Sequence, residues 1–369
     1  MSNDEFPLPS SEELIRSQRL INVILARMAA NGGQISFAEY MEMALYEPRL
    51  GYYTSDSQKF GPGGDYTTAP EMSPLFAACL AVYCHRVTKG WDAYDIVEFG
   101  AGSGQLAIDL LPRLDPLPSH YYIIELSAEL RERQQKRVRE NLGSLAERVV
   151  WLDRKPEESL QAVVIANEVL DAMSVERFRW NKGEIQQAVI CDTWEEAWIL
   201  ATNPDLIAAV QHLGLSDDLD QYTSEVNLWI KPWLSLISTW LKRGEILLID
   251  YGFLRDEYYQ PQRNMGTLTC FYRHNQHDDR LFQPGLQDMT AYVDFTAVME
   301  AAQVLGLSVA GYSTQAEFLL EHGLLEHAKA NTTLDEVEMA NVIKFLKSPS
   351  GTEELFKVIV LKRVTRCHP

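Results

Sequence analysis

DIVEFGAGSGQLAIDLL, residues 95–111, decides how the rest of the chain is read. Ile96, Val97 and Phe99 are strand formers, Gly100, Gly102 and Gly104 follow at alternate positions, and Leu106 and Leu110 then recur at helical spacing toward Pro112. The order is strand, tight turn, helix. Glycine takes positive φ and lets a ligand lie against the backbone, while a helix start offers unpaired N–H groups and the positive end of its dipole. Such a turn holds a small polar ligand. Gln105 stands where the dinucleotide fingerprint GxGxxG has its last glycine, so that fingerprint is not met and a nicotinamide-dependent oxidoreductase is disfavoured. A surface turn between two core elements is the bland alternative. The acids around the turn, Glu98 on its strand and Glu125 downstream, weigh against it.

Working outward, residues 121–124 read as a second strand ending at Glu125, 149–152 as a third ending at Asp153, and 162–166 as a fourth ending at Asn167 and Glu168. Helical patterns such as 127–141 lie between them. Strands that end in polar residues at one edge, separated by helices, predict an α/β, Rossmann-like, doubly wound sheet with its ligands at that edge. The first strand is expected at its centre, and the last two, 307–313 and 356–363, as an antiparallel pair. Capping signatures at Ser10/Glu13 and Ser36/Glu39 predict two helices before the core. Residues 1–76 are therefore read as an N-terminal helical cap and active-site wall, and 77–176 as the first half of the core. A hairpin through Trp180–Gly183 and an acidic, tryptophan-containing region mark 177–240 as an insertion, a region for substrate or for homodimer contacts. Residues 241–366 form the second half. Two stretches, 43–76 and 253–290, show little periodicity and are read as irregular walls around a site.

The composition narrows the partners. Across 369 residues the formal net charge is −19, which opposes attraction to phosphate backbones and anionic lipid, so nucleic acid is excluded and a basic protein segment fits. Five cysteines, at 79, 84, 191, 270 and 367, form no CxxC pair. They imply reduced thiols and no structural metal. The acidic N-terminus resembles neither a signal nor a transit peptide, and no apolar run is long enough to cross a bilayer. The expectation is a cytoplasmic protein without membrane insertion.

With Glu98 included, the turn reads ExGxGxG, which resembles motif I of the Rossmann-like S-adenosyl-L-methionine methyltransferases. GDYTTAPEMS (64–73), EFGAGSGQLAIDLL (98–111), NEVLDAM (167–173), DYG (250–252), the stretch 266–297 and FKVIVLKR (356–363) together resemble the MidA family of these enzymes. The chain departs from that family's pattern at Met173, Ser174 and Glu176. Mitochondrial members of the family are complex I assembly factors that methylate an arginine of a partner subunit. The resemblance implies S-adenosyl-L-methionine as cofactor, S-adenosyl-L-homocysteine as product and protein arginine as the leading acceptor. A small-molecule O- or N-methyltransferase and a non-catalytic assembly factor that binds the cofactor are the other readings.

On this frame Glu98, Gly100, Gly102 and Gly104 form the cofactor turn. Glu125, 21 residues after Gly104, is positioned for the ribose hydroxyls, Asp153 for the adenine edge, and Asn167 beside the sulfonium. A guanidinium acceptor is protonated at neutral pH, and carboxylates are needed to hold it planar and aim one nitrogen at the methyl group. The candidate acids are Glu168 and Asp171 at the strand end, with Asp65 and Glu71 in the wall. A helix cap or a surface ion pair is the ordinary role of each taken alone.

Overall fold

In the computed structural model, which describes residues 8–55, 68–273, 275–331, 335–348 and 355–363, the apolar run before the glycines is the strand Asp95–Phe99 (β1). The main path of its sheet also holds Tyr121–Ile124 (β2), Val149–Leu152 (β3), Leu160–Asn167 (β4), Leu241–Phe253 (β5), Leu307–Thr314 (β6) and Phe356–Arg363 (β7), and the two-residue strand Val293–Asp294 pairs in parallel with the end of β5 off that path. The main-path strands lie in the order β6-β7-β5-β4-β1-β2-β3. The pairs from β5 through β3 are parallel, and β7 runs antiparallel to both β5 and β6. The expected central first strand and antiparallel final pair are both present.

Alternate residues of these strands feed two cores. Ile96, Val163 and Leu247 point to one face, where Phe76, Leu80 and Leu110 cover them; Val97, Val164 and Leu248 point to the other, against Leu234, Ile237 and Val298. Both faces are buried, which is why the central strands are apolar throughout rather than alternating. The helix Ile230–Trp240, inside the stretch read as an insertion, packs on this second face.

The N-terminal helices Ser11–Ala30 and Phe37–Tyr46 start where the caps place them. Ser10 and Glu13 form a reciprocal capping box, and Ser36 Oγ accepts from the Glu39 N–H at 3.1 Å. Between them Gln34–Ser36 adds an edge strand to a second, antiparallel sheet formed by Glu176–Asn181, Glu184–Cys191, Glu196–Leu200 and Tyr222–Val226. The cap and the 177–226 region are thus tied together by backbone pairing.

Segment 253–290 departs from the expectation of an irregular loop. It contains the short helix Arg255–Tyr258 and a three-stranded antiparallel sheet of Asn275–His277, Thr269–Tyr272 and Asp288–Thr290. These strands are three or four residues long, too short for a periodic signal, and their partners lie up to about twenty residues away in sequence. In 43–76, Met43–Tyr46 completes the second helix, and Ala69–Met72 and the start of Pro74–Thr88 are also helical. Asp65 lies outside the described residues.

Where β5 meets β4 the register shifts between Leu241 and Arg243, and Gly244 sits at φ 146°, a conformation that side chains avoid. A Cβ there would stand 1.8 Å from the carbonyl oxygen of Ala162. Gly244→Ala is expected to lower unfolding stability by about 3 kcal/mol, read from urea denaturation, through strain and overpacking together. A loss below about 0.5 kcal/mol would contradict the close strand approach.

Candidate functional site

Chain order in the sheet reverses between β1 and β4, and the crevice outside their carboxyl ends is where such a sheet takes a ligand. Gly100, Gly102 and Gly104 have φ of 63°, 54° and 82°. A Cβ on Gly100 would stand 2.9 Å from Val169 Cγ2, so glycine is what lets the turn pack this closely against the chain that follows β4.

Gln134, fully buried on the helix Ala128–Leu142, ties the strand ends together. Its Nε2 donates to the Gly102 carbonyl at 2.9 Å and to Glu125 Oε2 at 3.0 Å, while its Oε1 accepts from Trp151 Nε1 at 3.0 Å. Glu125 also accepts from the Ser127 N–H at 2.8 Å. Its oxygens are acceptors, the complement of a ligand's hydroxyl donors. Glu98 is buried at the end of β1, accepts from Tyr121 Oη at 2.7 Å and is pushed by burial up to about 7. Asp153 is exposed just beyond β3. Glu71 accepts a hydrogen bond from Ser103 Oγ, so the wall helix Ala69–Met72 touches the glycine turn rather than the acids that follow β4.

Those acids form a second cluster. Asn167 ends β4, and its Nδ2 donates to Glu168 Oε1 at 3.1 Å. Glu168 takes φ 53°, with its N–H bonded to the Ile249 carbonyl at 2.8 Å. Burial drives the Glu168 carboxyl up to about 8, and the charges of Asp171 and Asp288 add to that, against the bond from Asn167. Asp171 is raised by burial to about 6 while accepting from Tyr251 Oη. Among the described residues, the buried oxygens Asn167 Oδ1 and Asp171 Oδ1 have no hydrogen-bond partner. An unmet buried acceptor costs about 1–3 kcal/mol, so both call for a donor beyond the described residues.

Asp250, fully buried on β5, fixes this turn. Its Oδ2 accepts from the N–H groups of Val169, Leu170 and Asp171 at 3.2, 2.9 and 3.3 Å, and its Oδ1 from that of Tyr251 at 2.9 Å. Burial raises its carboxyl, and the neighbouring Asp171 and Glu168 raise it further, against those N–H groups that favour its charge. The cap and the small sheet close the pocket. Tyr53 Oη donates to Asp288 Oδ1 at 2.8 Å, the Tyr46 and Tyr53 rings stack at 5.4 Å, and Tyr46 Oη donates to the Ala172 carbonyl at 2.8 Å. The cluster is an acidic, tyrosine-walled recess beside the glycine turn.

Of the residues singled out in the sequence, Glu98, Gly100, Gly102, Gly104 and Glu125 gather at the turn, and Asn167, Glu168 and Asp171 at the neighbouring strand end. Sequence reasoning missed Gln134, Asp250 and Asp288. Asp250 carried a usable signal, an acid at a strand end like Glu125. Gln134 and Asp288 carried none, since their partners are distant in sequence. The glycine turn, the acceptor oxygens of Glu125 and the orphaned Asn167 oxygen fit a ligand that carries hydroxyl and amino donors, as S-adenosyl-L-methionine does.

A family model described as S-adenosyl-L-methionine-dependent methyltransferase matches residues 79–313. The Caenorhabditis elegans "Protein arginine methyltransferase NDUFAF7 homolog, mitochondrial" is 27% identical over 341 residues, covering 80% of this chain and 74% of that protein. The Danio rerio protein named as the mitochondrial protein arginine methyltransferase NDUFAF7 is 26% identical over 332 residues, covering 79% and 74%. A crystal structure from Burkholderia thailandensis, bound to S-adenosyl-homocysteine, matches with a TM-score of 0.89 at 37% identity, covering 97% of this chain and 95% of that one. The mitochondrial names of the curated relatives overturn the expectation of a cytoplasmic protein, which is withdrawn. Among the described residues no helix is long and apolar enough to cross a membrane.

Glu168, with a reference value of 4.5 and a folded value of about 8, holds a proton in the native state that the unfolded chain has already lost. The native state therefore binds more protons across that interval, and stability falls as pH rises from about 4.5 toward 8. Glu168→Gln removes this contribution. Its melting temperature is expected to fall less than that of the parent chain between pH 5 and 8, as measured by calorimetry; parallel curves would contradict the raised carboxyl.

Proposed function

From its membership of the MidA family of S-adenosyl-L-methionine-dependent methyltransferases, to which the chain belongs, we propose that it transfers the methyl group to an arginine side chain of a partner protein. The observation that carries this reading is the recess of Glu168, Asp171 and Asp288 in which a buried carboxylate oxygen, Asp171 Oδ1, lacks a donor among the described residues. A guanidinium supplies five N–H donors and a positive charge in one plane, which suits crowded carboxylates better than a neutral acceptor does. The arginine names of the relatives point the same way.

S-adenosyl-L-methionine supplies an activated methyl group on sulfur, so the chain's part in the reaction is chiefly to hold and aim. Gly100, Gly102 and Gly104 would cradle it, with Glu125 toward the ribose and Asn167 close to the sulfur. Glu98 supports the turn from behind its bond to Tyr121. Glu168 and Asp171 would grip the guanidinium, localise its charge and leave one nitrogen free to meet the methyl. A bound guanidinium would favour the ionised form of Glu168, and that carboxylate would then accept the proton that the alkylated nitrogen gives away. Tyr251 holds Asp171, and Asp250 holds the backbone of both.

The test compares parent chain and Glu168→Gln with tritiated S-adenosyl-L-methionine and an extract of cells lacking the chain. Label is expected in protein, as methylarginine, with transfer by the variant down about a hundredfold. Affinity for S-adenosyl-L-homocysteine, read by calorimetry, should stay within about threefold. Equal loss of that affinity would make Glu168 a cofactor ligand. Label confined to small molecules would refute the protein acceptor.

A further inference from the structure

A cleft of about 470 Å³ opens at the carboxyl end of β5, between the helix Pro204–His212 and the helix Phe295–Val304. Its volume suits two or three side chains rather than a methyl acceptor group alone. Ala209, Leu213, Ala297, Ala301 and Val304 give it apolar walls, and tyrosines line its floor. Its charged groups are largely spent on one another. Arg255 grips Glu300 through both terminal nitrogens at 2.7 Å and approaches Asp294 at 3.4 Å, while His212 reaches Glu300 at 3.1 Å. Glu225 pairs with Arg177; Lys231, Asn227 and Gln303 are further polar lining groups, and the rest of what the cleft offers is apolar and aromatic surface. Among the described residues Lys231 is the one lining cation outside those pairs, too little charge for a nucleotide or other polyanion.

The inner end of this cleft abuts the acceptor recess. Tyr292, a lining residue, meets the Tyr251 ring edge-on at 5.4 Å, and Tyr251 Oη donates to Asp171. Asn227, also lining it, donates to the Leu170 carbonyl at 3.3 Å, and Val175 belongs to the chain segment that leaves Asp171. Val304 stands 71% exposed, an apolar side chain without cover. Resting on the arginine reading above, we infer that this cleft is the docking groove for the acceptor polypeptide, seating a large apolar side chain a few residues from the arginine to be methylated. Capture of that neighbour turns binding of one side chain into recognition of a sequence, and it holds the arginine in the recess while the methyl transfers.

The probe is a peptide library with one fixed arginine and randomised flanking positions, incubated with S-adenosyl-L-methionine and read by mass spectrometry. Leucine, phenylalanine or methionine at one position within about four residues of the arginine is expected to lower KM about tenfold against alanine there. Ala209→Trp fills the cleft, and Val304→Asp puts a charge on its exposed rim. Each is expected to raise KM for the apolar-flanked peptide to that of its alanine counterpart, with kcat for it little changed. Val304, being exposed, keeps the test open if the tryptophan variant fails to fold. Methylation indifferent to flanking residues, or a preference that survives both variants, would overturn the groove while leaving the arginine reading intact. Methylation of no arginine peptide would overturn both. A preference unmoved by Val304→Asp together with loss of a dimer in light scattering would make the cleft a contact between two copies of the chain, and would also overturn the proposal.

Discussion

The Asp250 carboxylate accepts four backbone N–H groups, three of them from the turn that follows β4. That turn runs through Glu168 in a left-handed conformation, which for a residue with a side chain costs on the order of 1 kcal/mol and persists only where the surroundings insist on it. Asp250 is what insists. It sits in the adjoining parallel strand, so the same hydrogen bonds that pin the turn also fix the distance between the acids and the sheet. With the backbone held, Asn167, Glu168 and Asp171 remain at one strand end although the carboxyl groups of Glu168 and Asp171 repel one another.

The cost of burying these acids is visible in the raised carboxyls of Glu168 and Asp171, to which their neighbours' charges add at Glu168, and in the orphaned Asp171 oxygen. A cation in the recess would relieve both, since each carboxylate then gains a charge-assisted partner worth more than a neutral hydrogen bond. The cap contributes to this preorganisation. Glu42 accepts from Ser174 Oγ at 3.1 Å, Tyr46 holds the Ala172 carbonyl, and Tyr53 holds Asp288. The N-terminal helices and the small sheet therefore meet at the same few residues of the core, and they do so through polar contacts that fix direction as well as distance. The second sheet has its own anchor in Arg177, buried between Glu196 and Glu225 and facing the rings of Phe37 and Trp198.

Local signals carried most of the fold. The glycine turn was legible because glycine at three alternate positions after an apolar run has few other uses, and the helix starts at Ser11 and Phe37 because capping is a contact over three residues. Glu125, Asn167 and Glu168 were legible as polar endings of buried strands. What escaped the sequence depends on pairing across long separations. Thr269–Tyr272 finds its sheet only when Asp288–Thr290 folds back on it, Gln134 matters through Gly102 and Trp151, and Asp288 reaches the recess only because the small sheet is docked against the cap. Asp250 lay between: the strand-end rule marks it, but its work on the backbone of Val169 to Asp171 emerges only when β5 is paired with β4.

What the acid recess receives is decided most directly by mass spectrometry of the proteome of host cells with and without this chain, searched for methyl groups on every residue type. Methylarginine confined to one or a few proteins, present with the chain and absent without it, is the expected result. A chain-dependent methyl mark found only on other residues, or only on small molecules, would contradict the arginine assignment and return the recess to an acceptor of different chemistry.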